Sequence, residues 1–394
     1  MSRVTVTVGV LLLGTWVGGC TESGRVAVEP FVLSDSAGIE VALNRTDLGT
    51  VPTVQLEDPL LRLGSEVEGS PEFFGQINSL HLDPKGHLWV ADIMSSELRV
   101  FVVPSGEHLF SVGRRGEGPG EFAMPVPIGF DEDRAWIWDR QLGRLTVFTL
   151  DGEFVEVQGV VTREQVVPQL LHRSRRGTFV GRLPQRYSGP LSDGVFIQDT
   201  VRVWEFDGFD VEPELLVERA GVTWIYAGGV QAPVPFTGDS RFEVRDDRLV
   251  ATDPTGGPVL DVMEGGRLER RIKVDRDREA VTRELIDREV EGRRVSEQAA
   301  ALLRARLLDL PVPEFIPTWE WIRLSPQGHV FALRHGTLLA GERWDVFNPD
   351  GRLVRVISLP DSAHLMEVGE EFLVVLEMPE MTGPRIAVYP FPGR

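Results

Sequence analysis

A repeat constrains this chain more than any other feature. Trp89-Val90-Ala91-Asp92 and Leu98-Arg99-Val100-Phe101 return 47 residues later, Trp89 to Trp136, as Trp136-Ile137-Trp138-Asp139 and Leu145-Thr146-Val147-Phe148. Each unit reads as short β-strands separated by turn residues. Asp83-Pro84-Lys85-Gly86 and Pro104-Ser105-Gly106 are examples, because Pro presets φ and Gly accepts positive φ. A third unit runs from Gly177 to Arg182 and resumes at Val201–Phe206. A fourth holds Asp247–Asp253, Val259–Met263 and Arg267–Val274. The fifth is clear again: Ser325-Pro326-Gln327-Gly328-His329-Val330-Phe331-Ala332 mirrors Asp83–Val90, and Trp344–Phe347 supplies its third strand. The sixth has Glu371–Leu376 and Arg385–Tyr389, and no fourth strand follows.

The missing strand has a counterpart upstream. Leu63–Phe73 aligns with Val112–Phe122, matching both glycines, both glutamates and the phenylalanine, so an outer strand at Leu60–Gly64 precedes the first complete unit. Units of about 40–50 residues with four strands each indicate a β-propeller. The expected fold is therefore all-β, a six-bladed β-propeller closed by an N-terminal strand, which removes exposed edges. An array of β-sandwiches is the rival, and it leaves the spare strand unexplained. Between blades four and five lies a helical insertion, 275–313. Val281, Leu285, Ile286 and Val290 form an apolar stripe, Leu302-Leu303 and Leu307-Leu308 continue it, Gly292 divides it, and Pro311 and Pro313 end it. It reads as a solvated helical pair packed on the propeller, with a lid or partner-docking element as the alternative.

At the other end, Met1–Gly19 carries one charge, Arg3, then the apolar run Val8–Leu13 and small residues leading into the only cysteine, Cys20. This is the layout of a secretory signal, and Val17-Gly18-Gly19-Cys20 resembles a bacterial lipobox. The run is too short for a transmembrane helix; an ordinary signal peptide cut elsewhere is the other reading. The expected organisation is a lipoprotein signal peptide at 1–19 and a tether with a hairpin at 20–50. The hairpin, Phe31–Ser34 with Ile39–Leu43, packs beside the main body, and the propeller occupies 51–394. Cys20 is the lipidation site, and the expected location is the cell envelope. Thr21 after the cysteine slightly favours the outer membrane. Lipidation of Cys20 leaves no thiol for disulfides, so stability comes from packing.

The pattern GxLWVAD…LRVF…SG…GxxGxGPGEF resembles NHL-like six-bladed β-propellers, in particular uncharacterised bacterial lipoproteins of that type, from about Leu60 onward. The resemblance implies the fold and leaves function open, because propellers host binding proteins, hydrolases and lyases alike.

Composition excludes one class of partner. With 60 acidic against 41 basic residues the formal charge is −19, and no Lys/Arg-rich block exists to displace counterions from nucleic acid. Candidate ligand-binding residues come from repeat geometry instead. Loops joining second to third strands, and those leading to the next blade, share one face. That face would carry Asp92, Asp139, Arg182, Asp253, Arg334 and Glu377 at one repeat position, with Arg114 and Arg115 nearby. Asp92 and Asp139 read more simply as ligands for turn backbone, whereas Arg182, Arg334 and Glu377 break the repeat and are better candidates. Gly113–Gly120 lacks the P-loop order and precedes a strand, so it is not a phosphate loop.

Related propeller enzymes of the gluconolactonase-like and amidating-lyase groups bind a divalent metal in the central channel. A corresponding Ca or Zn site here would use Asp92, Asp139 and Glu377. The seven histidines (81, 87, 108, 172, 329, 335 and 364) show no ligand spacing, and no Ser-His-Asp set is recognisable. The reading is a lipid-anchored, non-catalytic module with no cofactor. It binds a peptide, saccharide or protein across its loop face. The alternative is a metal-dependent hydrolase or lyase.

Overall fold

A computed structural model describes residues 29–46, 51–183, 194–227, 230–237, 240–292, 296–306, 309–336 and 341–392. Cys20, Leu307 and Leu308 lie outside them. Six separate sheets form the body. Blade 1 runs Ile77–Leu82, His87–Asp92, Glu97–Val102 and His108–Val112, and blade 2 runs Pro125–Phe130, Arg134–Asp139, Arg144–Thr149 and Phe154–Gly159. The first strands of consecutive blades touch in order, and the first strand of blade 6, Ala363–Val368, touches Ile77–Leu82 of blade 1. The ring is closed: the chain is an all-β, six-bladed β-propeller.

Alternation along each strand sends side chains to both faces of its sheet, and each face is buried against the next blade. Trp89, Leu98 and Val100 of blade 1 meet Ala135, Ile137 and Phe148 of blade 2, for example. Val180 and Val203 of blade 3 meet Leu249 and Ala251 of blade 4 in the same way. Trp89, Trp138 and Trp344 are fully enclosed in these seams. At roughly 25 cal/mol per Å² of apolar area, the seams are the main stabilising term in a fold without cross-links.

Closure follows the expected route. Leu61–Leu63 pairs antiparallel with Arg385–Pro390, in the register Leu63↔Ile386, Ala387↔Arg62 and Val388↔Leu61. The hairpin is more deeply engaged than the sequence shows. Phe31–Ser36 and Ile39–Arg45 do not merely pack beside the body. Ile39–Arg45 hydrogen-bonds in parallel to Arg267–Asp275, making blade 4 a six-stranded sheet. Thr53–Gln55, which the sequence does not reveal, pairs in parallel with Leu353–Ser358 of blade 5. The N-terminal segment is thus a strap across the outer edges of blades 4, 5 and 6. Asn44 rivets it: buried, its Nδ2 donates to the Gly351 carbonyl (2.9 Å) and its Oδ1 accepts from Leu353 N–H (2.7 Å). Gly351 has φ +80°, and a Cβ there would lie 2.9 Å from the Ala42 Cβ, so only glycine fits this turn.

Blade 3 departs from the repeat. Its third and fourth strands, Val195–Phe206 and Glu214–Ala227, are twice the usual length, and Val230–Pro233 adds a fifth. The overhang projects from the face bearing the second-to-third loops. Against it dock the two helices of the insertion, α1 (Arg283–Gly292) and α2 (Glu297–Ala305). Ser296 caps α2 by accepting from Ala299 N–H. Ile286, Val290, Ala299 and Leu303 pack on Ile225, Ala232, Val234 and Phe236, a core separate from the blade seams. Gly292 ends α1, as the sequence indicates. The helices cap blade 3's overhang, where the sequence had placed them on the propeller at large. No helix among the described residues is long and apolar enough to cross a membrane.

Candidate functional site

The loop-face residues are brought to one end of the ring, yet most are engaged with their own blades. Asp92 is buried and accepts from the amides of Gly75 (2.8 Å), Gln76 (2.9 Å) and Met94 (3.0 Å). Asp139 does the same for Ala123 (2.7 Å), Met124 (3.3 Å), Gln141 and Leu142 (both 3.0 Å). Each carboxylate fastens the incoming inter-blade crossing to the end of a second strand, which spends its acceptor capacity on backbone. Asp253 accepts from Thr255 N–H, and Glu377 pairs with Arg62 of the closing strand at 3.4 Å. Arg114 pairs with Glu121 (2.6 Å), whose carboxyl is held below the usual range by the Gly118 amide and by Arg114. Arg115 donates to the Met94 carbonyl.

Arg334 and Arg182 have other surroundings. Arg334 and Arg276 both grip Asp345 (2.8 Å each), which also accepts from Trp319 Nε1 at 2.9 Å. Burial opposes ionisation of Asp345, but the two guanidiniums prevail and hold its pKa down. The Arg182 guanidinium lies 4.4 Å from the centre of the Phe242 ring. Among the described residues no three His, Cys, Asp or Glu side chains are grouped to hold a metal ion, and Asp92, Asp139 and Glu377 form no such set.

The sequence reading missed the channel itself. The first strands carry His81 (blade 1), His172 (blade 3), Glu243 and Arg245 (blade 4), Trp321 and Arg323 (blade 5) and Glu367 (blade 6). Five blades thereby contribute to one network. Glu367 receives Arg245 and, at 3.2 Å, His81, while Arg323 faces Glu243 at 3.6 Å. Burial would raise the Glu367 pKa, but Arg245 and His81 outweigh it and hold it at about 2. Burial, reinforced by Arg245 and His81, pushes His172 down to about 3. It stays neutral, and its Nε2 accepts from Asp246 N–H (2.8 Å). Burial also raises Glu243, with Glu367 adding to it against the pull of Arg323.

Toward the loop face the lining changes character. Trp321 is 43% exposed although it sits on an innermost strand, and Arg241 lies 4.8 Å from its ring on one side with Arg323 5.9 Å away. The register slips between Trp319 and Trp321, and this bulge displaces Glu320. One Glu320 oxygen meets His335 Nδ1 at 3.0 Å; the other is buried with no hydrogen-bond partner among the described residues, and burial raises the pKa of the carboxyl. Phe236, on which the helices pack, lies tilted beside His335, 5.7 Å between rings, so the core under the cap reaches the channel mouth. A signal for this site existed: charged residues recur on strands that should be the most enclosed. The bulges shift alternation by one residue within those strands and hide which side chains face inward.

Residues 73–163 match a family model described as a 6-bladed beta-propeller. No curated protein matches the chain. Among solved structures, a Bacteroides fragilis protein described as exported is 11% identical, with 86% of this chain and 99% of that one covered and a TM-score of 0.49. A catalytically inactive virginiamycin B lyase from Staphylococcus aureus is 10% identical over 82% of this chain and 98% of its own, with a TM-score of 0.41. The fold rests on the six sheets themselves and on the family match.

Proposed function

We propose that this six-bladed β-propeller is an exported, lipid-anchored binding module that takes its ligand at the loop-face mouth of the channel. The observation that carries the reading is Trp321. A tryptophan on the innermost strand of a propeller is expected to be enclosed, and this one presents its ring to the opening, flanked by Arg241 and Arg323. An exposed aromatic beside guanidiniums in a concavity is suited to stacking and hydrogen bonding with a saccharide or peptide. Phe236, on which the helices pack, lies beside His335 at one side of the mouth, and Arg182 covers Phe242 at the neighbouring seam of blades 3 and 4. Among the described residues no three metal-ligating side chains converge.

The test is a thermal-shift and calorimetric survey of oligosaccharides and short peptides against the wild type and Trp321→Ala. Binding is expected to weaken at least about tenfold in the variant. Hits that bind both proteins equally would remove the site. The anchor rests on Val17–Cys20 and its place after the apolar run Val8–Leu13. Cys20→Ser should abolish palmitate labelling and leave the segment before Cys20 uncleaved; labelling that persists in the variant would refute lipidation at Cys20.

A further inference from the structure

The loop face is divided. Blade 3 carries the cap, whereas the seam of blades 6 and 1 carries large apolar side chains open to solvent: Val67, Phe73, Met94, Met378 and Met381. Met381 is 92% exposed and Met94 63%. Their three loops are contiguous. Met94 lies across Gly75, where an added Cβ would come within 2.8 Å of its side chain, and Gly383 abuts the Phe74 carbonyl. Arg99 anchors the middle loop through the Pro71 and Phe73 carbonyls. The patch is therefore held on fixed backbone.

Acidic residues alternate with these apolar ones. Glu66 and Glu68 flank Val67, Glu72 precedes Phe73, and Glu380 precedes Met381. Glu66 is paired with Arg385 at 3.6 Å and Glu72 accepts from Gly64 N–H. Glu68 and Glu380 are exposed and have no ion pair among the described residues. On the blade 2 side the acidic stretch ends at Arg115, bound to the Met94 carbonyl, and at Arg114, neutralised by Glu121.

We infer that this seam is a docking surface for a protein segment in which lysine or arginine alternates with large apolar residues. Methionine suits such a surface, because its unbranched, polarisable side chain repacks around varied partners. The interleaved glutamates supply the charge complement and speed encounter. They also repel anionic lipid headgroups, so the apolar residues here are matched to a basic polypeptide and not to a bilayer. The surface is separate from Trp321 and stands whether or not that site binds a ligand.

The probe is a fluorescein-labelled octapeptide of alternating lysine and leucine, followed by anisotropy with the full-length protein. Two comparison peptides replace leucine with serine, or lysine with glutamate. The lysine–leucine peptide should bind about tenfold more tightly than either. The double variant Met94→Ser/Met381→Ser, which leaves charge unchanged, should weaken it about tenfold without affecting the lysine–serine peptide. Glu68→Gln/Glu380→Gln should flatten its salt dependence, and Trp321→Ala should leave it unaltered. Equal affinity for the serine peptide, or indifference to the methionine pair, would overturn the inference. So would recruitment to phosphatidylglycerol vesicles that depends on Met381.

Discussion

At the scale of single residues, the channel histidine is the group with the clearest thermodynamic consequence. His172 has a pKa of about 3 in the folded protein against 6.5 for the free side chain. A base whose pKa is depressed on folding supports the native state above the unfolded value and withdraws that support as pH falls toward the folded one. Between pH 6.5 and 4.5 this amounts to about 2 kcal/mol. Glu367, held at about 2, adds a loss in the same direction at lower pH, whereas protonation of Glu243 acts in the opposite sense. His172→Gln keeps an acceptor for Asp246 N–H and cannot take up a proton. Its urea midpoint should therefore change less than that of the wild type across this range, and parallel pH curves would refute the assignment. Asp92 and Asp139 were readable as turn carboxylates because the repeat aligns them. His172 was not, because its meaning depends on Arg245 and Glu367, which no spacing rule connects to it.

Among the elements, the helical cap and the blades have separate cores, and their stabilities should separate accordingly. Leu303 is fully buried against Ile225 and Phe236, with no blade-seam residue in its cluster. Leu303→Ala should cost about 2–4 kcal/mol within the cap. Hydrogen exchange should then accelerate in α1 and α2 while blades 1 and 2 keep their protection. Uniform acceleration throughout the ring would show that cap and ring unfold together. The two helices were legible because a 3.6-residue stripe, a dividing glycine and terminal prolines agree. Their docking partner was not. The overhang of blade 3 lies in strands whose length breaks the repeat, so alignment with the other units passes over it. The three-residue strand Thr53–Gln55 is too short to carry any periodicity, and its parallel pairing is fixed by Leu353–Ser358 far along the chain.

For the whole molecule, ring closure distributes stability differently. Leu63 is 2% exposed and lies in the seam of blades 6 and 1 with Phe74, Leu80, Ile386 and Val388. Leu63→Ala should cost about 2–4 kcal/mol, as a buried truncation of that size does, but the loss should appear in every blade, since an opened ring leaves two unpaired edges. A calorimetric endotherm that remains single and shifts down is expected. Splitting into two endotherms would mean that the blades do not depend on closure. The architecture was the most legible level of all, because six approximate copies of one pattern and one spare strand admit few arrangements.

The strap has a further implication for the order in which the molecule can be assembled. Arg62 and Glu377 are salt-bridged across 315 positions of sequence. Any chain delivered from its amino-terminal side presents Leu61–Leu63 long before Arg385–Pro390 exists to receive it. Ile39–Arg45 and Thr53–Gln55 wait similarly for blades 4 and 5. The strap thus emerges before the blades it joins and is seated after them, and the circle is sealed only when Leu61–Leu63 and Arg385–Pro390 arrive at the same place.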